Sequence, residues 1–585
     1  MWRDDGMYTL GINAAFHDPA ACLVRDGEVV AAAEEERFTK IKHGKRPVPF
    51  STWELPFHAI DACLAAADVA LCDVDHVAYS FDPGLLLGER ARDRTIAIPL
   101  DGARAADQGA DAWEPLFLSH IVNAPGQLID GVPHHLERRW RGARRGDLSW
   151  HFVGHHAAHA ASAFLASPYG DAAVMCLDGR GERATTSYWQ GHDAAIDPLG
   201  EVRLPHSLGL LYEDVTQYLG FLRSSDEYKV MALASFGRPE FVDEFRSMIA
   251  IGDDGGYSID DLELERRFGA RRLRGAQIEQ RHYDIARSLQ VVLEETVIRL
   301  ASWLRERTRS PRLCMAGGVA LNCVMNARLR DSGVFDDVWV QPAAGDAGTA
   351  LGAGLMVDAS ERGATSHTRM EHVYFGPSFA DDEIERFLQW SKVPYRRVPD
   401  IAEAAAALLA GNKVIGWFQG AMEFGPRALG ARSILASPID AAMQVRLNEI
   451  KDREDFRPVA PVVLEEEAAS WFCGAGAAAP FMLFTFEVRS EKADCIPAIR
   501  HVDGTARVQT IRRDQNARYY DLIRAFERRT GVPVLVNTSF NTRGEPIVCT
   551  PRDAIECFWT SPLDALAIGS FVLEKPVHHV DVHAP

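Results

Sequence analysis

The chain has 585 residues, enough for roughly two to four domains with real cores. Hydrophobic residues make up 47% and charged residues 25%, which excludes a disordered, collagen-like or disulfide-framework chain as a whole. Acids outnumber bases 82 to 63, a formal net charge of −19, so a protein built to coat nucleic-acid phosphates is not expected, although one local basic cleft is still allowed.

No apolar run of about 18 residues occurs, so no membrane partner is expected. The opening MWRDDGMYTL has no apolar secretory core, which points to the cytoplasm. The 10 Cys include no CxxC, and most lie in apolar strings such as AACLV (Cys22) and VMCLD (Cys176). Reduced, buried thiols are expected, and neither zinc knuckles nor disulfides.

From Tyr8 to Glu36 an apolar strand runs into a small-residue turn, a second strand, an Asp26-Gly27 hairpin turn and a third strand. From Ala172 to Gly191 a strand again ends in a Gly-rich polar turn, and another strand follows. Two units of one design suggest an internal duplication. Between them HHAAHAASAFLAS (155–167) reads as an Ala-rich helix, and 283–306 as a long core helix. Residues 312–329 and 338–357 each read strand, small-residue turn, helix. This is α/β architecture, with sites expected at strand ends. Residues 359–371 lack periodicity and read as a linker, and from His372 a second α/β unit begins. The expected division is 1–365 and 372–585.

His155 and His159 are spaced i, i+4, so on a helix both rings project from one face. They suit one metal ion, or two core histidines. Asp178 ends a strand in CLDGRGE, and Asp346 sits at a strand-to-helix turn in AAGDAGTALG. Either is also a natural turn former or helix cap. Together the four residues suit a divalent metal that also accepts phosphate oxygens. GGVALN (317–322) lets backbone approach a ligand at a helix N-terminus, or makes a tight packing turn. His17, in the first turn, is a candidate general base or a loop residue. The basic run RFTKIKHGKRP (37–47) follows the first hairpin.

In the second half GPRALGARS (425–433) is a near miss for a P-loop, because Ala431 and Arg432 stand where Lys and Ser/Thr belong. Arg427 and Arg432 among glycines still make a plausible anion cradle. Lys451, Arg453, Arg457, Arg507, Asn537, Ser539 and Arg543 add further polar groups in neighbouring motifs. Loops that gather this many cations in an acidic chain are expected to face an anionic ligand.

The strings FHDPAACLV, EEERFTKIKHG, HHAAHAASAF, LDGRGE, DEYKVMALASFG, AGGVALN, GDAGTALGAG, GPRALGARS, KDREDFRPVAP and NTSFNTRGEPIV follow one another along nearly the whole chain. In that order they resemble the carbamoyltransferase family of antibiotic and nodulation-factor biosynthesis. The resemblance implies an N-terminal duplicated actin/hexokinase-like (ASKHA) domain similar to the tRNA threonylcarbamoyl-transfer enzyme, and a C-terminal YrdC-like α/β domain. It implies an ATP-dependent O-carbamoyltransferase that makes carbamoyl-adenylate from carbamoyl phosphate and ATP, then carbamoylates a natural-product hydroxyl.

By the same resemblance, His155, His159, Asp178 and Asp346 hold a divalent metal, with iron(II) the usual ion and Mg2+ accompanying ATP. Gly317, Gly318, Asn322 and Lys229 meet the nucleotide. His17, Lys42 and Arg37 take part in transfer. Arg427, Arg432, Lys451, Arg457, Arg507, Asn537 and Arg543 bind carbamoyl phosphate. The partners are carbamoyl phosphate, ATP and a small hydroxylated acceptor, with a homodimer allowed. The insert at 84–147 matches no motif and is expected to shape the acceptor pocket. Two other readings stand beside it: a threonylcarbamoyl-type tRNA-modifying enzyme, which the acidic balance disfavours, and a sugar kinase, in which the His pair and the second domain have no role.

Overall fold

The computed structural model describes residues 6–44, 55–87, 118, 120–130, 148–475, 478–542 and 544–575. Most of the 84–147 insert and Arg543 lie outside these residues. Two compact units form: Met1–Gly376 with Phe424–Pro426 and Leu483–Thr485, and the remainder of the chain from Pro377.

In the first unit β1 (Tyr8–Asn13), β2 (Ala20–Arg25) and β3 (Glu28–Glu34) make an antiparallel meander. Asp26 (φ 51°) and Gly27 (φ 88°) form its second turn, because both central positions need positive φ. β4 (His76–Tyr79) then adds to β1 in parallel, and β5 (Ser149–Phe152) adds to β4. The order is β3-β2-β1-β4-β5.

The plan then repeats. β6 (Asp171–Leu177), β7 (Ala184–His192) and β8 (Ala195–Arg203) form a second meander. After a small hairpin, β9 (Ile249–Ile251) and β10 (Tyr257–Ile259), the strands β11 (Arg312–Ala316) and β12 (Asp337–Val340) extend it in parallel. The order β12-β11-β6-β7-β8 matches the first sheet strand for strand. This is the duplicated actin/hexokinase-like design.

Alternation along the strands sets the layers. Leu10, Ile12, Ala21 and Leu23 face one core with helix Phe57–Ala66. Cys22 and Val24 face the other, which also holds Val174 and Cys176 of the second sheet. Two helices supply that inner core: the ligand helix His155–Phe164 and the crossing helix Ala347–Arg362. Their small residues allow backbone-to-backbone approach. A Cβ on Gly352 would lie 1.8 Å from the Ala158 carbonyl oxygen, and one on Gly11 would lie 1.9 Å from that of Ala350. The crossing helix runs through Arg362, so residues 359–362 are helical and not linker. Asp358 pairs with Arg362 at i, i+4, which extends the last turn where apolar periodicity has stopped.

The second unit is one mixed eight-stranded sheet. Its strands are β13 (Arg396–Arg397), β14 (Ile415–Phe418), β15 (Arg432–Ala436), β16 (Ala460–Leu464), β19 (Gln509–Ile511), β20 (Val534–Ser539), β21 (Ala565–Ile568) and β22 (Phe571–Glu574). They stand in the order β13-β22-β21-β14-β15-β20-β16-β19. β17 (Thr485–Glu487) and β18 (Thr505–Arg507) pair separately. Arg432, expected in a loop, opens β15. Seven cysteines are buried, Cys72 is intermediate, Cys473 and Cys495 are exposed, and all are free thiols. Among the described residues no helix is long and apolar enough to cross a membrane.

The close crossing reverses an ordinary substitution. Gly→Ala inside a helix normally stabilises by about 1 kcal/mol. Gly352→Ala instead forces the two helices apart and should destabilise the fold by about 1–3 kcal/mol in urea denaturation. An unchanged or raised midpoint would contradict the packing.

Candidate metal centre and its neighbours

The ligand helix starts at His155, so His155 and His159 stack one turn apart with Nε2 atoms 3.2 Å from each other. Asp178 follows β6, and Asp346 is the N-cap residue of the crossing helix. As an N-cap, Asp346 makes no side-chain capping bond, which leaves its carboxylate for the cluster. His155 Nε2 lies 3.6 Å from an oxygen of each carboxylate, and His159 Nε2 lies 3.9 Å and 3.7 Å from the same atoms. One ligand atom from each of the four residues falls within 4.8 Å of the others. All four side chains are buried.

The surroundings orient them. His155 Nδ1 faces the Ser80 carbonyl oxygen at 3.4 Å, which leaves Nε2 for the centre. The His155 N–H donates to Glu182, whose carboxylate also accepts from the Asp82 N–H. Asp178 Oδ1 accepts from the Gly318 N–H at 2.8 Å. Gly317 must be glycine, with φ of 93° and a virtual Cβ 2.2 Å from the Leu177 carbonyl oxygen. His156 turns away and pairs with Ser187. Burial and the neighbouring His159 hold the His156 ring down at about 3, so it stays neutral.

Charge balance shows what the cluster lacks. Burial opposes ionisation of Asp178, yet the hydrogen bond from His155 and the charges of His159 and His155 hold its carboxyl well below the usual range. Burial also opposes a charged His155, but Asp346 and Asp178 raise the ring well above its ordinary value. Two buried carboxylates draw protons onto imidazole when nothing else positive is there. His159 Nδ1 is buried without a hydrogen-bond partner among the described residues. Two imidazoles, two carboxylates and this positive deficit fit a divalent cation.

A second group lies beside the centre. Phe16 packs edge-on against the His155 ring at 5.1 Å, and the next residue, His17, places Nδ1 2.8 Å from Asp18. Asp18 also receives His43 Nδ1 at 2.8 Å. His17 Nε2 lies 2.9 Å from the Ser224 carbonyl oxygen, and His43 Nε2 lies 3.1 Å from Ser225 Oγ. Burial disfavours an ionised Asp18, but His17 and His43 together hold it well below the usual carboxylate range. A carbonyl and an ionised carboxylate only accept, so both His17 nitrogens carry protons in this arrangement. Asp18, His43 and Ser224 carry little signal in the sequence beyond Asp18 following His17 directly and His43 sitting in KHG. Glu182 gave no sequence signal beyond its Gly-rich turn.

The remaining candidates fall in varied places. Lys42 lies 5.7 Å over the Tyr228 ring, and Lys229 pairs with Asp226 at 3.2 Å. The Asn322 side chain caps its helix at the Met325 N–H and bonds Gln290. Arg37 is buried, with its guanidinium on Glu34, Glu36 and the Gly425 carbonyl oxygen.

In the second unit Arg432 is fully buried. Its donors go to the carbonyl oxygens of Gln419, Gly420, Ala431, Pro377 and Cys549, and its plane lies 3.7 Å over Phe418. Burial lowers it to about 10. Those contacts tie loops together around the guanidinium. The neighbouring loop is fixed by Glu423, which accepts from the N–H groups of Leu429, Ala431 and Arg432. Lys451 is buried on Ser539 and Asn541 and pushed well below the usual lysine range by burial and by Arg453. Asn537 donates to Ala428 and Gln509, while its Oδ1 and Arg507 Nε are buried without partners among the described residues. Arg457 faces Glu454 at 3.8 Å, and Arg427 precedes the Ala428 carbonyl that Asn537 holds.

Glu227 holds the Ser224 loop through the Ser224 N–H at 2.7 Å. Burial first, and then Glu213, pushes its carboxyl up to about 7 from 4.5. Between those values the native chain holds a proton that the unfolded chain has released. That stabilisation is complete below about 4.5 and is lost as pH rises through about 7. Glu227→Gln keeps the hydrogen bond and should shrink the fall in urea stability between pH 5 and pH 8. An unchanged fall would contradict the assignment.

Comparison with known proteins places the chain in a family. The Carbamoyltransferase N-terminus family model matches residues 8–355 and the Carbamoyltransferase C-terminus model residues 406–575. The chain is 41% identical to "Uncharacterized protein sll1178" of Synechocystis sp., over 97% of each chain. It is 40% identical to "Nodulation protein NolNO" of Sinorhizobium fredii, over 96% of this chain and 80% of that protein. It is 34% identical to "Nodulation protein U" of Bradyrhizobium diazoefficiens, over 93% of each. The chain belongs to the carbamoyltransferase family and is a carbamoyl-transferring enzyme.

Proposed function

We propose that the enzyme is an ATP-dependent O-carbamoyltransferase acting on a hydroxyl of a natural product. Water attacks the carbamoyl carbon of carbamoyl phosphate, the bond from that carbon to the phosphate oxygen breaks, and carbamate and phosphate form. Carbamate then attacks the α-phosphorus of ATP, which forms carbamoyl-adenylate and releases pyrophosphate. The acceptor oxygen attacks the carbamoyl carbon, AMP leaves, and the acceptor proton passes to a base. Carbamate alone is a poor electrophile because its carboxylate resists attack, and adenylation removes that charge and supplies a leaving group.

The observation that carries the reading is the buried group His155, His159, Asp178 and Asp346, with Asp178 tied to the Gly318 N–H. These four residues would hold a divalent cation, iron(II) in our reading, with Mg2+ accompanying ATP; such an ion supplies Lewis-acid neutralisation of phosphate charge. Gly317 and Gly318 would let backbone approach the nucleotide, and Lys42 and Lys229 would supply cations to it. Asp18 orients His17 through Nδ1. In the arrangement described, Nε2 donates to Ser224, so His17 acts as a base only after that contact opens and one proton leaves. A base so placed contributes about 10²–10⁴ in rate.

The second unit, YrdC-like in this reading, activates carbamoyl phosphate. Arg507 Nε and Asn537 Oδ1, buried without partners among the described residues, are the groups best suited to an anion and its amide, and Arg427, Arg457 and Lys451 are the further groups proposed for this site. Arg432 and Arg37 serve as braces. The acceptor is a small hydroxylated molecule, and the acidic charge sets the reading apart from a tRNA-modifying enzyme.

Incubation with ATP, carbamoyl phosphate and a panel of hydroxylated natural products should release AMP and pyrophosphate, and one acceptor should gain a carbamoyl group. His17→Asn should lower transfer by about 10²–10⁴ while pyrophosphate release continues. Arg507→Ala should abolish use of carbamoyl phosphate but keep transfer from synthetic carbamoyl-adenylate. ADP in place of AMP, or equal loss in both assays, would contradict the two-step reading.

A further inference from the structure

The strand that leads to the metal centre carries a second group of ligand atoms at its other end. β4 ends next to Ser80, whose carbonyl oxygen faces His155. Its first residue is His76. On the neighbouring strand β5, His151 lies two residues past the partner of His76, so both rings leave the same face of the sheet. His76 Nδ1 and His151 Nε2 are 3.0 Å apart. Glu361, in the last turn of the crossing helix, brings a carboxylate to the same place, and one ligand atom of each lies within 4.8 Å of the others. The two histidines are half-buried and Glu361 is exposed.

We infer that His76, His151 and Glu361 form a second divalent-cation site, of the kind that takes zinc or a similar borderline ion. Two imidazole nitrogens on a tetrahedral ion at ordinary bond lengths stand about 3.3 Å apart. The nitrogens here are within a few tenths of an ångström of that spacing, as are those of His155 and His159 at 3.2 Å. The two rings need no backbone change to turn from a hydrogen bond to shared ligation. Two nitrogens and one carboxylate are a mixed set that zinc accepts, and the exposed side leaves a position for water.

The place of the site gives it a purpose. Glu361 and Asp346 stand at opposite ends of the crossing helix, roughly 22 Å apart along its axis. His151 lies four residues before His155, on the strand that feeds the ligand helix. An ion bound here fastens the crossing helix to the edge of the first sheet. It therefore braces the two elements that carry the catalytic ligands, without touching substrate.

Zinc titration of the whole chain by calorimetry, with bound metal counted after desalting, tests this directly. The parent should hold two equivalents. The double variant His76→Gln/His151→Gln should hold one and keep its carbamoyl-transfer activity. Glu361→Gln, at an exposed position that does not threaten folding, should weaken the second equivalent by about tenfold or more. Equal zinc content and affinity in parent and variants would overturn the site. Because the readout is metal bound, it is independent of whether the acceptor reaction is correctly assigned.

Discussion

Two carboxylates and two imidazoles share one buried space, and the architecture of the first unit exists to bring them there. They come from three parts of the chain: the ligand helix, which supplies both imidazoles, the residue after β6, and the N-cap of the crossing helix. Burying an uncompensated carboxylate costs several kcal/mol, and two together cost more. Only a positive partner makes the arrangement tolerable. In the chain alone that partner is a proton, drawn onto His155 against its own burial. A divalent ion answers the same deficit while leaving the imidazoles neutral.

The convergence depends on how closely backbones approach. Gly352 and Gly11 let the crossing helix touch the ligand helix and β1 at distances no side chain allows. That contact fixes where Asp346 falls relative to His155. The duplicated sheets do the rest. Each repeats a three-strand meander with two parallel strands, and each puts a polar turn at a strand end: Phe16–Asp18 in the first and Asp178–Gly179 in the second. The two turns meet the same centre from opposite halves of the duplication, through the Phe16–His155 contact and through Asp178 itself.

Much of this is legible in sequence, for identifiable reasons. The i, i+4 spacing of His155 and His159 states a shared face outright, and strand–turn–strand units repeat openly enough to show the duplication. Asp346 is ambiguous in sequence because an Asp before a helix is normally a cap; in the fold its side chain makes no capping bond. His43 and Ser224 were hidden because they meet His17 through tertiary packing, 26 and 207 residues along the chain. The basic residues of the second half were the least legible. Arg432 looks like an anion ligand in a glycine-rich string, yet backbone carbonyls surround it. A guanidinium satisfied by carbonyls and one awaiting a phosphate have the same letter and the same neighbours in sequence.

One cation held by four side chains beside the Gly317–Gly318 turn underlies the proposed chemistry. Anomalous diffraction from crystals of the metal-loaded, active enzyme, recorded on both sides of the absorption edge of the ion it carries, tests it most directly. A peak is expected within bonding distance of His155 Nε2, His159 Nε2 and the carboxylates of Asp178 and Asp346. Active enzyme with no peak at that position would contradict it.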